Sequence, residues 1–192
     1  MKVLKALTKE QASKQTKEIF DKIQQNVGRV PNLYAAMGNS ANLLSGFLDF
    51  SETLSKGIFS KKEQEAIALA VSQSNGCAYC LSAHSELGKM AGFSEKEILE
   101  LREGTSANKK LNALTNLALE MTENKGKASS EAISRFFSTG YDETAFAELI
   151  GLVSLRIITN YIFSNGDFEI DFPKAKYIEE LVAAWDLINS VY

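Results

Sequence analysis

Residues 60–92 have the sequence SKKEQEAIALAVSQSNGCAYCLSAHSELGKMAG. Ser60 and Glu63 form a capping-box pattern, in which the side chain of each accepts a hydrogen bond from the backbone N–H of the other. This pattern predicts a helix of good helix formers over residues 61–74. Residues 66–71 are apolar on every side of that helix, and a helix of this kind is buried. We therefore expect it to cross the centre of the protein.

The pair Asn75-Gly76 predicts a sharp end to this first helix, because both residues tolerate the left-handed conformation. A second helix follows from Cys77 to Gly92, and the two together predict an antiparallel helical hairpin. The same pattern recurs in the rest of the chain: a capping residue, then a stretch with helical periodicity, then a glycine that ends it. Further helices are predicted over residues 8–25, 40–57, 94–104, 106–125, 129–138, 142–163 and 174–191. About eight helices without strand-like alternation predict an all-α fold. Since no low-complexity linker interrupts residues 1–192, we interpret them as a single domain.

The composition is that of a folded globular chain. Of 192 residues, 45% are hydrophobic and 23% are charged, and only 2 are Pro, which suits a mostly helical protein. The net charge of −3 provides no basic field for binding nucleic acid. Apolar runs reach six residues, against about 20 for a membrane span, and the N-terminus does not resemble a signal peptide. We therefore expect a soluble, cytoplasmic protein with no nucleic-acid or membrane partner.

The residues that carry chemistry lie in the predicted hairpin. The chain's 2 cysteines, Cys77 and Cys80, form a C-x-x-C motif, and its 1 histidine, His84, follows on the same helix. Positions i, i+3 and i+7 lie within a sector of about 60°, so the three side chains share one face. Glu65 lies on the preceding helix at a similar distance from the turn. We expect Glu65 to orient the imidazole of His84, and the imidazole to activate a thiol that has a second thiol beside it.

A cysteine in this motif needs activation, because an ordinary thiol, with a pKa of about 8.5, is only a few per cent thiolate at neutral pH. Two features lower the pKa of a cysteine here: the helix N-terminus at Cys77 and the imidazole one turn beyond Cys80. The helix N-terminus favours the thiolate of Cys77, whereas the imidazole favours the thiolate of Cys80. The spacing alone therefore leaves open which cysteine attacks first.

Glu65, the two cysteines and His84 have the spacing E-x11-C-x2-C-x3-H. This spacing resembles the signature of the alkyl hydroperoxidase AhpD-like branch of the carboxymuconolactone decarboxylase superfamily. Three flanking segments are also similar to the peroxidase-related members of this branch. They are GRVPNL at residues 28–33, NGCAYC at residues 75–80, and Asn160-Tyr161 together with IDFP at residues 170–173. The resemblance covers about residues 28–173.

The resemblance implies an all-helical AhpD-like fold, with the C-x-x-C at the start of a central helix, and a homo-oligomer, either trimer or hexamer. It also implies that the protein reduces hydrogen peroxide or organic hydroperoxides, in antioxidant defence. By the same resemblance Cys80 is the peroxidatic thiol, Cys77 is the resolving thiol and proton donor, and Glu65 and His84 form a proton relay. In well-studied peroxidases of the family a second His precedes the second Cys, where this chain has Tyr79.

The partners that the resemblance implies are a hydroperoxide substrate and a dithiol reductant. The reductant is a lipoyl-type adaptor or a thioredoxin-like protein, and a peroxiredoxin is a further candidate partner downstream. No bound cofactor and no metal is required for this thiol chemistry.

A competing interpretation is an oligomeric helical binding or scaffold protein, whose C-x-x-C is vestigial or binds zinc. Two thiolates, an imidazole and a carboxylate are sufficient for a tetrahedral zinc site, although ligands at i, i+3 and i+7 spread along about 10 Å of helix axis. We interpret Tyr79 as a packing residue. Arg29, Arg156 and Asn160 are candidate contacts to the site or to a subunit interface, with solvation at the surface as the preferred interpretation.

Overall fold

The computed structural model describes residues 1–176, and these residues form nine α-helices. The helices are α1 Lys14–Val27, α2 Asn32–Met37, α3 Ala41–Ser55, α4 Lys61–Ser74, α5 Ala78–Met90, α6 Glu95–Arg102, α7 Lys109–Glu123, α8 Ser130–Ser138 and α9 Glu143–Ser164. Within residues 1–176, pairing of the β type is limited to one isolated bridge, between Leu4 and Gly166. The all-α prediction is therefore confirmed. The last predicted helix lies outside the described residues, except for residues 174–176.

Most helix ends lie where the capping residues predict them. The hairpin helix α4 begins with both hydrogen bonds of its capping box, and its end is followed by Gly76, which has a left-handed φ of 61°. Four other predicted caps also accept a hydrogen bond from an N–H of the first helical turn; they are Ser40, Ser94, Ser129 and Asp142. Local side-chain capping therefore determines most of the boundaries.

Two predicted helix starts are wrong, because a second capping residue lies a few positions downstream. The Thr8 N–H does donate to Gln11, at 2.9 Å, but this pair closes only an isolated turn. Helix α1 begins after Ser13, whose hydroxyl accepts the Thr16 N–H. In the same way, α7 begins after Asn108 and not after Ser106.

The short helix α2 has no counterpart among the predicted helices. Pro31 precedes it, and no side-chain cap comes from the neighbouring sequence. Instead, the Asn32 N–H donates to the carboxylate of Asp171, at 3.0 Å. Because the group that satisfies this helix terminus lies 139 residues away in the chain, no local pattern predicts it.

Helix α4 is the central element of the protein, and it packs against α5, α6, α7 and α9. Every residue from Ala66 to Val71 is 0% exposed, which confirms the predicted burial. On one side of α4, apolar residues of α7, α8 and α9 form a core around Leu117 and Phe136. On another side, α1, α2 and α3 pack around the N-terminal end of α5. The hairpin of α4 and α5 is thereby held on several sides.

After α9 the chain turns back across the hairpin, and we call residues 166–176 the return segment. Its Ala175 N–H donates to the Ser82 hydroxyl of α5, and the Lys176 carbonyl accepts a hydrogen bond from Arg102 of α6. By length and composition, α9 is the one helix of the described residues that could cross a membrane. A core helix has the same properties, and α9 packs against α2, α3, α4 and α7.

Candidate active site

The C-x-x-C motif lies at the start of α5. Cys77 is the N-cap residue of this helix, and its sulfur accepts a hydrogen bond from the Cys80 N–H, at 3.3 Å. The two cysteines form a disulfide bond, with a distance of 5.3 Å between their Cα atoms. Both are buried, at 1% and 2% exposure. The Cys80 sulfur lies 3.8 Å from the hydroxyl of Thr159 on α9.

Glu65 and His84 are in direct contact across the hairpin. The carboxylate Oε2 of Glu65 lies 2.7 Å from Nδ1 of His84, and the side chains are 15% and 10% exposed. Burial raises the pKa of Glu65, but the charge and hydrogen bond of His84, together with the charge of Arg156, outweigh burial and bring the pKa below its ordinary value. An ionised carboxylate only accepts hydrogen bonds, so Nδ1–H donates and Nε2 is the basic nitrogen.

A cavity of about 630 Å³ opens beside these groups. Its wall includes Glu65, His84 and Cys80, whereas Cys77 is not among the described residues that line it. The hairpin therefore gathers the four predicted residues, and the cavity gives a ligand access to Cys80 in preference to Cys77. Most of the wall is apolar, with the side chains of Leu33, Phe47, Leu87, Ala83 and Phe172.

Two further polar side chains of the cavity wall come from other helices. Arg156 lies on α9, one helical turn before Thr159, and Tyr34 lies on α2. The Nε atom of Arg156 is buried and has no hydrogen-bond partner within residues 1–176. The expectation that Arg156 is solvated at the surface is therefore wrong. Asn160 is also buried, and its side-chain oxygen accepts a hydrogen bond from Asn75 at 2.8 Å.

Tyr79, next to Cys80 in the chain, is bound to the return segment. Its hydroxyl donates to Asp171 at 2.6 Å and accepts the Leu33 N–H at 3.3 Å. Burial and the hydrogen bond to Asp171 raise the pKa of Tyr79 far above its ordinary value, so the phenol stays protonated. Its ring packs against Phe168 and Phe172, which agrees with its interpretation as a packing residue.

Asp171 connects the three flanking segments at residues 28–33, 75–80 and 170–173. Its carboxylate accepts hydrogen bonds from the Arg29 guanidinium, the Asn32 N–H and the Tyr79 hydroxyl. This carboxylate fixes the wall of the cavity next to Cys80. Within residues 1–176, no group of three or more His, Cys, Asp or Glu side chains has an arrangement suited to a metal ion.

Sequence reasoning did not assign Thr159, Tyr34 or Asp171 to the site. All three reach it through tertiary packing, from α9, α2 and the return segment. Asp171 belongs to the IDFP segment, which resembles the family, but the sequence spacing did not identify the groups that its carboxylate binds. Thr159 lies in the long apolar helix α9, and Tyr34 lies in the short helix α2, which no local pattern predicts. Periodicity therefore did not distinguish either position as part of a site.

Comparison with known proteins gives one family and several similar structures. The profile of the carboxymuconolactone decarboxylase family matches residues 41–123, from the first residue of α3 to the last of α7. No curated protein is significantly similar to the chain. Among solved structures, a variant of the debrominase Bmp8 in complex with 2,3,4-tribromopyrrole has a TM-score of 0.72 and 22% identity, over 88% of this chain and 91% of that chain.

Two peroxidase-related proteins are similar over nearly the whole chain. An uncharacterized one from Silicibacter sp. TM1040 has a TM-score of 0.72 and 22% identity, covering 90% of this chain and 92% of its own. An alkylhydroperoxidase AhpD core protein from Ralstonia eutropha JMP134, also uncharacterized, has a TM-score of 0.74 and 14% identity, covering 91% and 94%.

The fold and the site together define an all-helical protein of the AhpD type, with a cysteine pair beside a Glu–His pair. Residues 41–123 match the carboxymuconolactone decarboxylase family, and the fold is similar to that of the AhpD-like peroxidase-related proteins. The recognition made from the E-x11-C-x2-C-x3-H spacing is thereby confirmed. Similarity at these identities establishes the fold, whereas the reaction has to be argued from the site.

Proposed function

We propose that this protein is a thiol-dependent peroxidase that reduces hydrogen peroxide or organic hydroperoxides through Cys80 and Cys77. One observation carries the proposal: Cys80, which is paired with Cys77, shares a cavity wall with an imidazole that a carboxylate holds in place. A carboxylate, an imidazole and a nucleophile in this order are the groups that nucleophilic catalysis requires. The peroxidase-related structural neighbours give the same indication.

In the first step the Cys80 thiolate attacks the hydroperoxide. Nε2 of His84 takes the thiol proton, while Glu65 stabilises the imidazolium through Nδ1–H. The sulfur supplies the electron pair for a new S–O bond, and the O–O bond breaks. The alkoxide that leaves takes the proton from the imidazolium and becomes an alcohol. Cys80 is thereby oxidised to a sulfenic acid and the peroxide is reduced.

In the second step Cys77 resolves the sulfenic acid. Its sulfur attacks the Cys80 sulfur, an S–S bond forms, the S–O bond breaks, and water leaves with the Cys77 proton. The product is the disulfide present in the structure. A dithiol then reduces this disulfide by exchange and is itself oxidised. Because both sulfurs are buried, a slender dithiol of the lipoyl type fits the access route better than a flat protein surface does.

The decisive experiment is peroxide consumption with dihydrolipoamide as reductant, by the wild type, Cys80→Ser and Cys77→Ser. We expect no turnover in either variant. A single peroxide pulse distinguishes their roles, because Cys77→Ser accumulates a sulfenic acid that dimedone traps at Cys80, whereas Cys80→Ser forms no adduct. The chain has 2 cysteines, so the signal has no other source. Near-wild-type turnover in Cys80→Ser would refute the assignment.

Two other functions are tested with the same protein. The debrominase among the structural neighbours makes 2,3,4-tribromopyrrole a second substrate to assay with the reduced enzyme. For a scaffold protein with a zinc-bound or vestigial motif, we expect one zinc per chain by elemental analysis, or thiols that resist mild oxidation. A metal-free chain whose two thiols disappear with one equivalent of peroxide supports the peroxidase.

The active form is proposed to be a cytoplasmic homo-oligomer, a trimer or hexamer. Support comes from exposed apolar side chains on α3 and α9, two helices that pack against each other: Leu43 at 39%, Phe50 at 39%, Ile150 at 47% and Tyr161 at 62% exposure. Contiguous exposed apolar surface marks interaction sites. Light scattering coupled to gel filtration measures the mass. We expect Ile150→Glu to dissociate the oligomer and Val3→Glu, at a position that is 56% exposed, to leave it intact. A monomeric wild type contradicts the proposal.

A further inference from the structure

Arg156 carries a positive charge that has no direct partner among the described residues. Its Nε atom is buried without a hydrogen bond, and the guanidinium forms no salt bridge within residues 1–176. Burying an ion costs free energy unless another group compensates it. Arg156 lines the cavity, so a bound ligand is in a position to provide that compensation.

The charge of Glu65, on the same cavity wall, acts on Arg156, but the two side chains form no direct salt bridge among the described residues. The carboxylate of Glu65 is bound to His84, and Arg29 is paired with Asp171. Lys61, at the exposed start of α4, adds a further positive charge. The wall therefore has more positive than negative groups around an apolar space. The chemical complement of this surface is a molecule with an anionic group and an apolar body.

Tyr34 provides a second hydrogen-bond donor near Arg156. Its hydroxyl has no hydrogen-bond partner among residues 1–176, and its ring packs against Phe47 at 6.0 Å between centroids. Burial raises the pKa of Tyr34, more than the neighbouring Arg156 lowers it, so the hydroxyl remains a donor at neutral pH. A guanidinium without a salt bridge among the described residues and a phenol hydroxyl on the same cavity wall form a suitable pair of ligands for a carboxylate.

We infer that Arg156 and Tyr34 form an anion subsite, and that the substrate is an organic hydroperoxide bearing a carboxylate. The inference rests on the proposed peroxide reduction and names its substrate class. The apolar body of the substrate lies against Leu33, Phe47 and Leu87, with the hydroperoxide at Cys80. A cavity of about 630 Å³ is in the range that accommodates a drug-sized organic molecule, and it is far larger than hydrogen peroxide needs.

The kinetic test compares 4-(2-hydroperoxypropan-2-yl)benzoate with its methyl ester, which has the same hydroperoxide without the charge. We expect the wild type to prefer the acid by about 10- to 100-fold in kcat/KM, the value of one charge-assisted hydrogen-bonded contact. In Arg156→Gln the ratio falls to about one, and Arg156→Lys restores part of it. Tyr34→Phe lowers the ratio by about 3-fold. The control is Arg135→Gln, which removes the same charge from α8, away from the cavity.

Two kinetic results would overturn the inference. A wild type without preference for the acid has no anion subsite. If Arg156→Gln instead slows the acid and the ester by the same factor, Arg156 acts on the reacting oxygens and not on a carboxylate.

A second readout does not depend on turnover. In the reduced protein, 4-isopropylbenzoate is expected to protect Cys80 from alkylation by iodoacetamide, measured by mass spectrometry of the Cys80 peptide. The uncharged 4-isopropylbenzamide, of nearly the same shape, is expected to protect weakly, and Arg156→Gln to lose the difference. Protection of this kind without peroxide turnover supports the subsite while refuting the peroxidase. Equal protection by the two compounds in the wild type contradicts the subsite.

Discussion

Replacing Glu65 by Gln removes the charge of the Glu65–His84 pair and retains the size of the side chain. The amide oxygen of Gln still accepts from Nδ1–H, so a charge-assisted hydrogen bond becomes a neutral one. The former contributes about 1.5–3 kcal/mol and the latter about 0.5–1.5 kcal/mol, so we expect a loss of about 1–2 kcal/mol in the free energy of unfolding at pH 7. Urea denaturation measures this difference.

The effect of Glu65→Gln depends on pH in a defined direction. The pKa of Glu65 in the folded protein lies below the ordinary value of 4.5, because His84 and Arg156 outweigh the effect of burial. A carboxylate with a lowered pKa stabilises the fold above its unfolded-state value, and the contribution disappears as the pH falls through the folded-state value. The stability difference between wild type and variant is therefore complete at pH 7 and shrinks below about pH 4.5.

The same substitution affects the reactivity of the thiol. A positioned general base accelerates a reaction by about 10²- to 10⁴-fold, and part of this acceleration depends on the carboxylate that orients the base. We expect Glu65→Gln to lower kcat for peroxide by about 10- to 100-fold and to slow alkylation of the reduced cysteines at neutral pH.

Glu63→Gln is the matched control, since Glu63 lies on the same helix but binds Ser60 and Tyr141. It is expected to reduce stability and to leave thiol reactivity intact. Unchanged reactivity and a pH-independent stability difference in Glu65→Gln would refute the reasoning.

Three further substitutions separate packing from chemistry. Tyr79→Phe removes the donor to Asp171 and is expected to cost about 1–2 kcal/mol in urea denaturation, with peroxide turnover within a few-fold of wild type; a loss comparable to that of Cys80→Ser would place the phenol in the reaction. Thr159→Val removes the hydroxyl near the Cys80 sulfur, and we expect alkylation to slow by about 2- to 5-fold; faster alkylation contradicts a supporting role. Phe136→Ala empties a fully buried position beyond α4 and is expected to cost about 3–5 kcal/mol without changing the alkylation rate of the folded protein.

Local patterns were sufficient for the hairpin that contains the cysteines. Its caps, its turn and the apolar run of α4 lie within a few residues of one another, so each could be read from spacing. The contact between Glu65 and His84 followed from the length of the two arms of the hairpin. The prediction was wrong where two capping residues competed, as Thr8 and Ser13 do, because local sequence does not rank two adequate acceptors.

The rest of the site depends on tertiary contacts that spacing does not encode. Helix α2 is capped by a carboxylate of the return segment, and Arg156 enters the cavity because α9 packs against the hairpin. Arginine side chains are mostly solvated, and the burial of the Arg156 Nε atom follows from tertiary packing and not from a local pattern. The sequence therefore predicted the four groups that are proposed to react, named Arg156 as a candidate contact with solvation preferred, and did not identify Tyr34.

The two cysteines and His84 are all on one helix, whereas Arg156 and Tyr34 belong to two others. The groups proposed to transfer electrons and those proposed to recognise the substrate are therefore held by different helices. If the proposed peroxidase and anion subsite are both correct, gentle warming or mild urea that loosens α2 and α9 before the central hairpin is expected to remove the preference for the acid while peroxide consumption continues. On this proposal, substrate selectivity is lost before activity.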